Sequence, residues 1–300
     1  MRHEQKFKRG FTLVEMVVVI AIIGILGGVI AVFVGMPVQD YVDSARRAAM
    51  TDIADTAALR LARDIRTAVP YSVRVSSPAG ANTYIEFLPT KAGGRYRADA
   101  DMSVSGVGPC GGTLADDILD FTVADSCFEI IGPALTFAAG DQIVVGNTLT
   151  DVNAPYQLTN SASSVRRDYT GVFGVEVRKV LMAATVKLPT PSPGNRFEVV
   201  PGEQQAVTYA CTGTLGTLDA NNDGQAKLMR YWHYDFQPTQ QLPAAIIALA
   251  THSEAVLADK ISACDFRYDA GNRLVSVTLT ITRNHESIKL YQEIYVSNTP

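Results

Sequence analysis

Apolar and polar positions divide the chain unevenly. From Phe11 to Gly35, 25 residues run with Glu15 as their one charged side chain. A helix of that length, rising about 1.5 Å per residue, covers the ~30 Å hydrocarbon core of a bilayer. Apolar residues then recur at steps of three or four: Val38, Val42, Ala45, Ala49, Ile53, Ala57, Leu61, Ile65 and Ala68. Asp40, Asp43, Arg47, Asp52, Arg60, Arg63 and Asp64 fall mostly off that stripe. The period predicts an amphipathic helix that docks on a sheet. Pro37, between the two stretches, is expected to kink or locally open the helix, because its ring displaces a backbone hydrogen bond. Pro70 ends the pattern, which places one helix from about Thr12 to Ala68.

Past Pro70 the apolar runs shorten to strand length, separated by Gly, Pro, Asn and Asp. Strands are predicted over 71–75, 83–88, 118–124, 127–132, 142–146, 171–188, 205–211 and 227–236. The clearest alternation is Val275, Val277, Leu279 and Ile281 against Ser276, Thr278, Thr280 and Thr282. The stretch "NHES" then turns the chain into "IKLYQEIYV", a half-buried hairpin. A second, shorter helix is expected over Pro243–Ala250 or Ser253–Lys260.

Composition and charge show the same division. The 47% hydrophobic content averages an oily start with an ordinary soluble body. Residues 1–10 carry Arg2, Lys6, Lys8 and Arg9 against Glu4, a net of +3, which leaves −7 for the rest of a chain whose total is −4. Positive flanks stay cytoplasmic, so the N-terminus is expected inside the inner membrane and the body in the periplasm. A mildly acidic body without a basic stripe speaks against nucleic acid as a partner. The apolar stretch exceeds the 7–15 residues of a secretory signal and has no AxA-like end, so an uncleaved anchor or a specialised leader fits better. Within that span, Gly24 and Gly28 form GxxxG, a spacing that lets helix backbones approach closely in lipid.

Glu15 is the anomaly, because a carboxylate within hydrocarbon is costly and calls for compensation. Here the residues "KRGFTLVEMVVVIAIIGIL" resemble the N-terminal signature of type IV prepilins and pseudopilins. In that family a basic leader ends in Gly, followed by Phe-Thr-Leu-x-Glu and an apolar helix. The resemblance implies that a prepilin peptidase cuts between Gly10 and Phe11 and N-methylates Phe11. It also implies that Glu15 attracts the N-terminal amine of a neighbouring subunit. Opposite charges in an apolar setting interact far more strongly than in water, and pairing relieves both desolvation costs.

The expected fold class is therefore α+β, with a pilin-like long N-terminal helix packed on an antiparallel β-rich globular domain. The expected divisions are a leader at 1–10, a transmembrane half-helix at 11–36, an amphipathic half-helix at 37–69 and the globular domain at 70–300. Implied partners are the prepilin peptidase, other major and minor pilins, the inner-membrane pilus assembly platform and the lipid bilayer.

Cys110, Cys127, Cys211 and Cys264 lie in the part expected to be exported, where an even count suggests two disulfides. Four cysteines permit three pairings. Cys110 with Cys127 and Cys211 with Cys264 is the preferred one, and free buried thiols are the alternative.

Other clusters imitate chemistry without completing it. "GVGPCG" matches GxGxxG through Gly106, Gly108 and Gly111, but Pro109 interrupts it and no βαβ unit surrounds it. Asp219, Asn221, Asp223 and Gly224 resemble the first half of a calcium loop, yet position twelve is Arg230 where a bidentate Glu belongs. A polar hairpin turn is the better reading. His3, His233, His252 and His285 lack zinc or nucleophile spacing. Trp232, Tyr231 and Tyr234 read as core aromatics on a strand. No enzyme activity, cofactor or metal is expected.

Distal stretches narrow the resemblance. "RLARDIRTAVPYSVRV", "IEFLP" with "GRYR", "ISACDFRYD" and "IYVSNTP" look like minor pilins of the mannose-sensitive haemagglutinin pilus biogenesis system, with "NNDGQ" as a departure. A J-type pseudopilin of type II secretion shares the "RLARDIR" helix end, and an adhesin using the helix as a mount is the reading from another class.

Overall fold

The computed structural model describes residues 10–76, 83–99, 107–111, 117–148, 153–159 and 161–296. The leader through Arg9, with His3, and Gly106 of the glycine motif lie outside them. The chain divides into two compact units, 1–51 and 52–300.

Helix α1 (Leu13–Arg66) is 54 residues long. It begins at Thr12, whose side-chain oxygen accepts the Glu15 N–H at 3.3 Å while its carbonyl accepts the Met16 N–H. Helix α1 is continuous through Pro37, where a kink or a local opening was expected, so the helix does not open there. One proline removes a single backbone donor, and the hydrogen bonds on either side hold the helix together. The expected apolar stripe is only partly buried: Val42, Ala45 and Ala49 are exposed, and burial is found at Ala57, Leu61 and Ile65.

Within the second unit the strands are β1 (Arg74–Ser76), β2 (Tyr84–Phe87), β3 (Ala92–Tyr96), β4 (Cys127–Ile131), β5 (Leu135–Thr136), β6 (Gln142–Val145), β7 (Arg166–Asp168) and β8 (Glu176–Val177). They continue as β9 (Lys179–Leu181), β10 (Arg196–Val200), β11 (Ala206–Thr212), β12 (Ala226–Tyr234), β13 (Ser253–Asp269), β14 (Leu274–Arg283) and β15 (Glu286–Tyr295). Helix α2 (Pro243–Ile247) precedes β13. A seven-stranded antiparallel sheet runs β1-β2-β11-β12-β13-β14-β15, a six-stranded one runs β7-β6-β10-β3-β4-β9, and β5 pairs with β8.

One apolar cluster joins the two sheets, with Tyr84, Tyr231 and Tyr234 from the first and Val144 and Val200 from the second. A second cluster contains Ile143, Val145, Phe197 and Val199 with Phe128 and Tyr169. Strands β6 and β10 therefore contribute alternate residues to two cores, which explains why Ile143–Val145 and Val199–Val200 are apolar on successive positions rather than alternating.

The C-terminal hairpin behaves differently. Val275, Val277, Leu279 and Ile281 are buried while Ser276, Thr278 and Thr280 are half-buried, as on a sheet with one core face; Thr282 at the end is buried. Asn284 and His285 form its two-residue turn, both at positive φ, between paired Arg283 and Glu286.

Two local expectations fail, and a third is met at one of its two alternatives. Residues 118–124 are a turn rather than a strand. The Asp120 carboxylate accepts the N–H and hydroxyl of Thr122, and Asp125 accepts the N–H groups of Asp120 and Cys127, so side chains displace ladder partners. Residues 253–260, one of the two candidate helices, form the start of β13 paired with β12, and α2 occupies the other. Tyr71, at φ 57, turns the chain so that the first strand begins only at Arg74.

The helix is fastened to the first sheet by a charge. Asp64 accepts hydrogen bonds from Tyr209 Oη on β11 and Arg230 Nε on β12, both at 2.8 Å. Arg230 also donates to Gln204. Burial and the neighbouring Asp64 carboxylate push the Tyr209 phenol up, so it remains a donor. Asp64 reads as a solvent-facing residue by helical period, yet it docks.

The sulfurs of Cys110 and Cys127 are 2.02 Å apart, and those of Cys211 and Cys264 are 2.06 Å apart. The second bridge closes the longer loop, with 53 residues of sequence separation, and ties β11 to β13 across β12. Replacing Cys211 and Cys264 by serine is expected to cost about 4 kcal/mol, against about 3 kcal/mol for Cys110 and Cys127. Thermal melts of the two double variants check this; equal or reversed losses would contradict the loop-closure account.

Candidate processing and assembly site

Gly10, Phe11, Thr12 and Glu15 border one shallow open concavity at the start of α1. Phe11 is 77% exposed and Leu13 82% exposed. The peptide bond between Gly10 and Phe11 therefore precedes the helix cap in chain that is open to an enzyme. Thr12 is the N-cap and Glu15 stands at the third helical position, the spacing of a capping box. A carboxylate there also lies at the positive end of the helix dipole. The sequence carries this signal as Thr-x-x-Glu before an apolar run, which charge reasoning alone overlooks.

The 19 residues Leu13–Ala31 form a stretch long and apolar enough to cross a membrane, and none of it is buried within the chain. Water is a poor solvent for such a surface, which calls for lipid or other helices around it. At Gly24, Gly27 and Gly28, nothing lies within 4 Å of where a Cβ would stand. Their close-approach surface is thus unused by this chain's own packing and open to a partner helix.

The cysteines, assigned alongside these residues from sequence, are remote from them in the chain and act in the body. Cys110 belongs to the "GVGPCG" loop, where the Gly111 N–H donates to the Gly108 carbonyl at 2.9 Å and Gly111 has φ +89. That turn is tied to β4 through Cys127. The calcium-like loop is a self-capped turn: Asp219 accepts the N–H groups of Asn221 and Asp223, and Leu218 pairs with Gly224. Asp223 is paired with Lys260 at 2.9 Å and accepts the Asn284 N–H, while Arg230 is held by Asp64.

His233 and His285 occupy positive-φ positions in a bulged strand and a hairpin turn. At that bulge, Ala206 faces Tyr234 and Thr208 faces Tyr231. Three residues of β12 thus span two of β11, which lets Tyr231 and Tyr234 both point into the core. Trp232 is half-buried under the Arg230 guanidinium, 4.7 Å from its ring centroid.

Sequence reasoning overlooked a buried ion pair. Arg74 Nε donates to Glu86 Oε2 at 2.7 Å, Tyr234 Oη donates to Glu86 Oε1 at 3.0 Å, and Thr208 joins through Tyr234 at 2.6 Å. The Arg74 terminal nitrogens donate to Asn153, Pro238 and Gln237, and its guanidinium lies 3.6 Å from the Tyr156 ring centroid. Burial pushes the Glu86 carboxyl up, opposed by Arg74 and Tyr234. Its one advance signal was a lone acid and a lone base within otherwise apolar strands.

Compared with known families, residues 5–31 match the model described as the prokaryotic N-terminal methylation motif. The chain matches no curated protein and no solved structure. The motif supports a type IV pilin-like or pseudopilin protein, a class of structural subunits processed by a prepilin peptidase. It covers the region in which Gly10, Phe11, Thr12 and Glu15 meet.

Proposed function

We propose that this chain is a minor type IV pilin of the kind that supports assembly of a mannose-sensitive-haemagglutinin-like pilus. Prepilin peptidase cuts it between Gly10 and Phe11 and methylates the Phe11 amine. Before assembly, residues 11–36 anchor it in the inner membrane with the N-terminus inside and the 70–300 body in the periplasm. In the fibre, Glu15 pairs with the free amine of an adjoining subunit, and Gly24 and Gly28 admit a neighbouring helix.

The observation that carries the reading is an exposed Gly10–Phe11 bond directly before a capped, wholly unburied apolar helix, inside the methylation motif. The pilus assignment is supported by the "RLARDIR" helix end and the "ISACDFRYD" strand. A body of this size suits a low-copy subunit, because a fibre shaft repeats every contact and tolerates a large head poorly.

N-terminal sequencing and mass measurement of the chain from cells with a working peptidase form the test. A mature chain beginning with methylated Phe11 is expected, and an intact ten-residue extension would refute the processing. Deletion separates pilus from secretion: loss of surface fibres with unchanged exoprotein release favours the pilus, and the reverse outcome favours a pseudopilin.

A further inference from the structure

Strand β15 stands at the end of the seven-stranded sheet, with no strand on its far side among the described residues. The other sheet ends, β1, β7 and β9, are three residues long. Strand β15 has ten residues, contains neither glycine nor proline, and pairs with β14 in unbroken register from Glu286 to Tyr295. An edge of that length presents a row of unpaired backbone groups, a template for another strand.

Which residues carry those groups follows from the hairpin. The two-residue turn makes Arg283 and Glu286 a hydrogen-bonded pair. The far end agrees, since the Val296 N–H donates to the Arg273 carbonyl at 3.0 Å. Even-numbered residues of β15 thus direct their N–H and C=O groups at β14. The odd-numbered ones, Ser287, Lys289, Tyr291, Glu293 and Tyr295, turn theirs outward, and their side chains are the exposed ones. Tyr291 is 60% and Tyr295 65% exposed.

An antiparallel strand joins this edge in registers that oppose the outward groups of both chains. A second copy turned about a two-fold axis at Tyr291 meets that condition, because odd residues then oppose odd ones. Tyr291 faces its own counterpart, Lys289 faces Glu293, and Ser287 faces Tyr295. On the other face Ile288 meets Ile294 and Leu290 meets Gln292, which extends the apolar side of the sheet. Moving the axis to Leu290 sets Lys289 against Tyr291, and moving it to Gln292 sets Lys289 against Tyr295. Of the three axes, the one at Tyr291 opposes base to acid, and symmetry makes it do so twice. Lys289 has no hydrogen-bond or ion-pair partner among the described residues. Glu293 accepts the Tyr291 hydroxyl on Oε1 at 2.6 Å, which leaves Oε2 for a base.

We propose that two copies of this chain join β15 to β15, antiparallel, about a two-fold axis at Tyr291. Each opposed odd pair exchanges two backbone hydrogen bonds, and the Lys289–Glu293 and Tyr291–Tyr291 pairs fix the register. The pairing uses residues of the body and is independent of how the N-terminus is processed.

Cross-linking of the full chain in detergent tests the register. All four native cysteines are in disulfides, so an introduced cysteine is the free thiol. A hydrogen-bonded antiparallel pair sets Cα atoms about 5.5 Å apart, within reach of a disulfide. Mild oxidation of Lys289→Cys chains mixed with Glu293→Cys chains is expected to give a covalent dimer. Neither variant alone is expected to do so, because each cysteine then lies four residues, about 14 Å, from its own counterpart. A mixture that cross-links no better than the single variants overturns the proposal and leaves this edge to a strand of a different protein.

Sedimentation equilibrium tests the charges. Lys289→Glu sets like charges opposite each other twice and is expected to weaken the dimer about tenfold, and adding Glu293→Lys is expected to restore it. Association through the apolar part of α1 is common to all these variants, so differences between them report the edge. Equal dimer content in parent and Lys289→Glu, or no recovery in the double variant, overturns the pairing. Should Lys289→Glu melt below the parent, the mixed cross-link still decides the matter.

Discussion

Exchanging Glu15 for alanine is expected to leave the chain in the membrane, cut and methylated, yet largely absent from sheared fibres. Cleavage depends on the chain around Gly10 and Phe11, which stays exposed without Glu15. Insertion depends on the apolar Leu13–Ala31 stretch, which an alanine makes more apolar. On the proposed reading docking depends on the charge itself: an amine entering an apolar helix bundle without a counter-charge forfeits about 2–4 kcal/mol, roughly a 30- to 1,000-fold drop in incorporation.

Helix capping by Thr12 is separable from the Glu15 charge. Thr12→Ala removes the oxygen that accepts the Glu15 N–H and is expected to cost only about 1 kcal/mol at the helix end. Immunoblots of sheared and membrane fractions for both variants decide between the roles. Equal fibre content in Glu15→Ala and parent would remove the docking role, and an equal loss in Thr12→Ala would transfer the effect to helix capping.

Arg74→Met carries the largest expected stability loss in the body. It strands the fully buried Glu86 and leaves the acceptors on Asn153, Gln237 and Pro238 without their donor. Removing one member of a buried pair costs about 3–5 kcal/mol, which at this size lowers the melting temperature by roughly 6–20 °C. The deficit is expected to shrink on acidification. With Arg74 gone nothing cationic opposes the upward push on Glu86, so the folded state takes up a proton at a pH where the unfolded state does not, and stability is lost again as pH rises. The double variant Arg74→Met with Glu86→Leu should recover the charge part of the loss but not the three lost donations. Melts of the parent and the two variants at pH 5 and pH 8 test this, and a double variant no better than Arg74→Met would show that the buried charge is not the cause.

These two sites differ in how far they could be read from sequence. The elements that were legible share one property, that their signal is local. Gly10, Phe11, Thr12 and Glu15 are neighbours in the chain and in space, so the motif and the site coincide. The hairpin of β14 and β15 was equally plain, since strict alternation and a two-residue turn lie within a continuous stretch. Residues 118–124 show the opposite. Their composition suits a strand, but Asp120 and Asp125 take the local N–H groups before any strand can pair with them. Residues 253–260 joined a sheet because β12 lies ready beside them and pairs with Ser253 through Ala258, a preference that no local pattern records.

Sequence alone determined the long apolar helix, its basic approach, the acid near its start and the α+β character of the rest. Each follows from periodicity, length and charge within short windows. Tertiary structure alone decided which charges meet: Asp64 with Arg230, 166 residues apart, and Glu86 with Tyr234, 148 apart. A buried charge finds its partner only once distant strands are in register, and register is a property of the whole sheet rather than of any stretch within it.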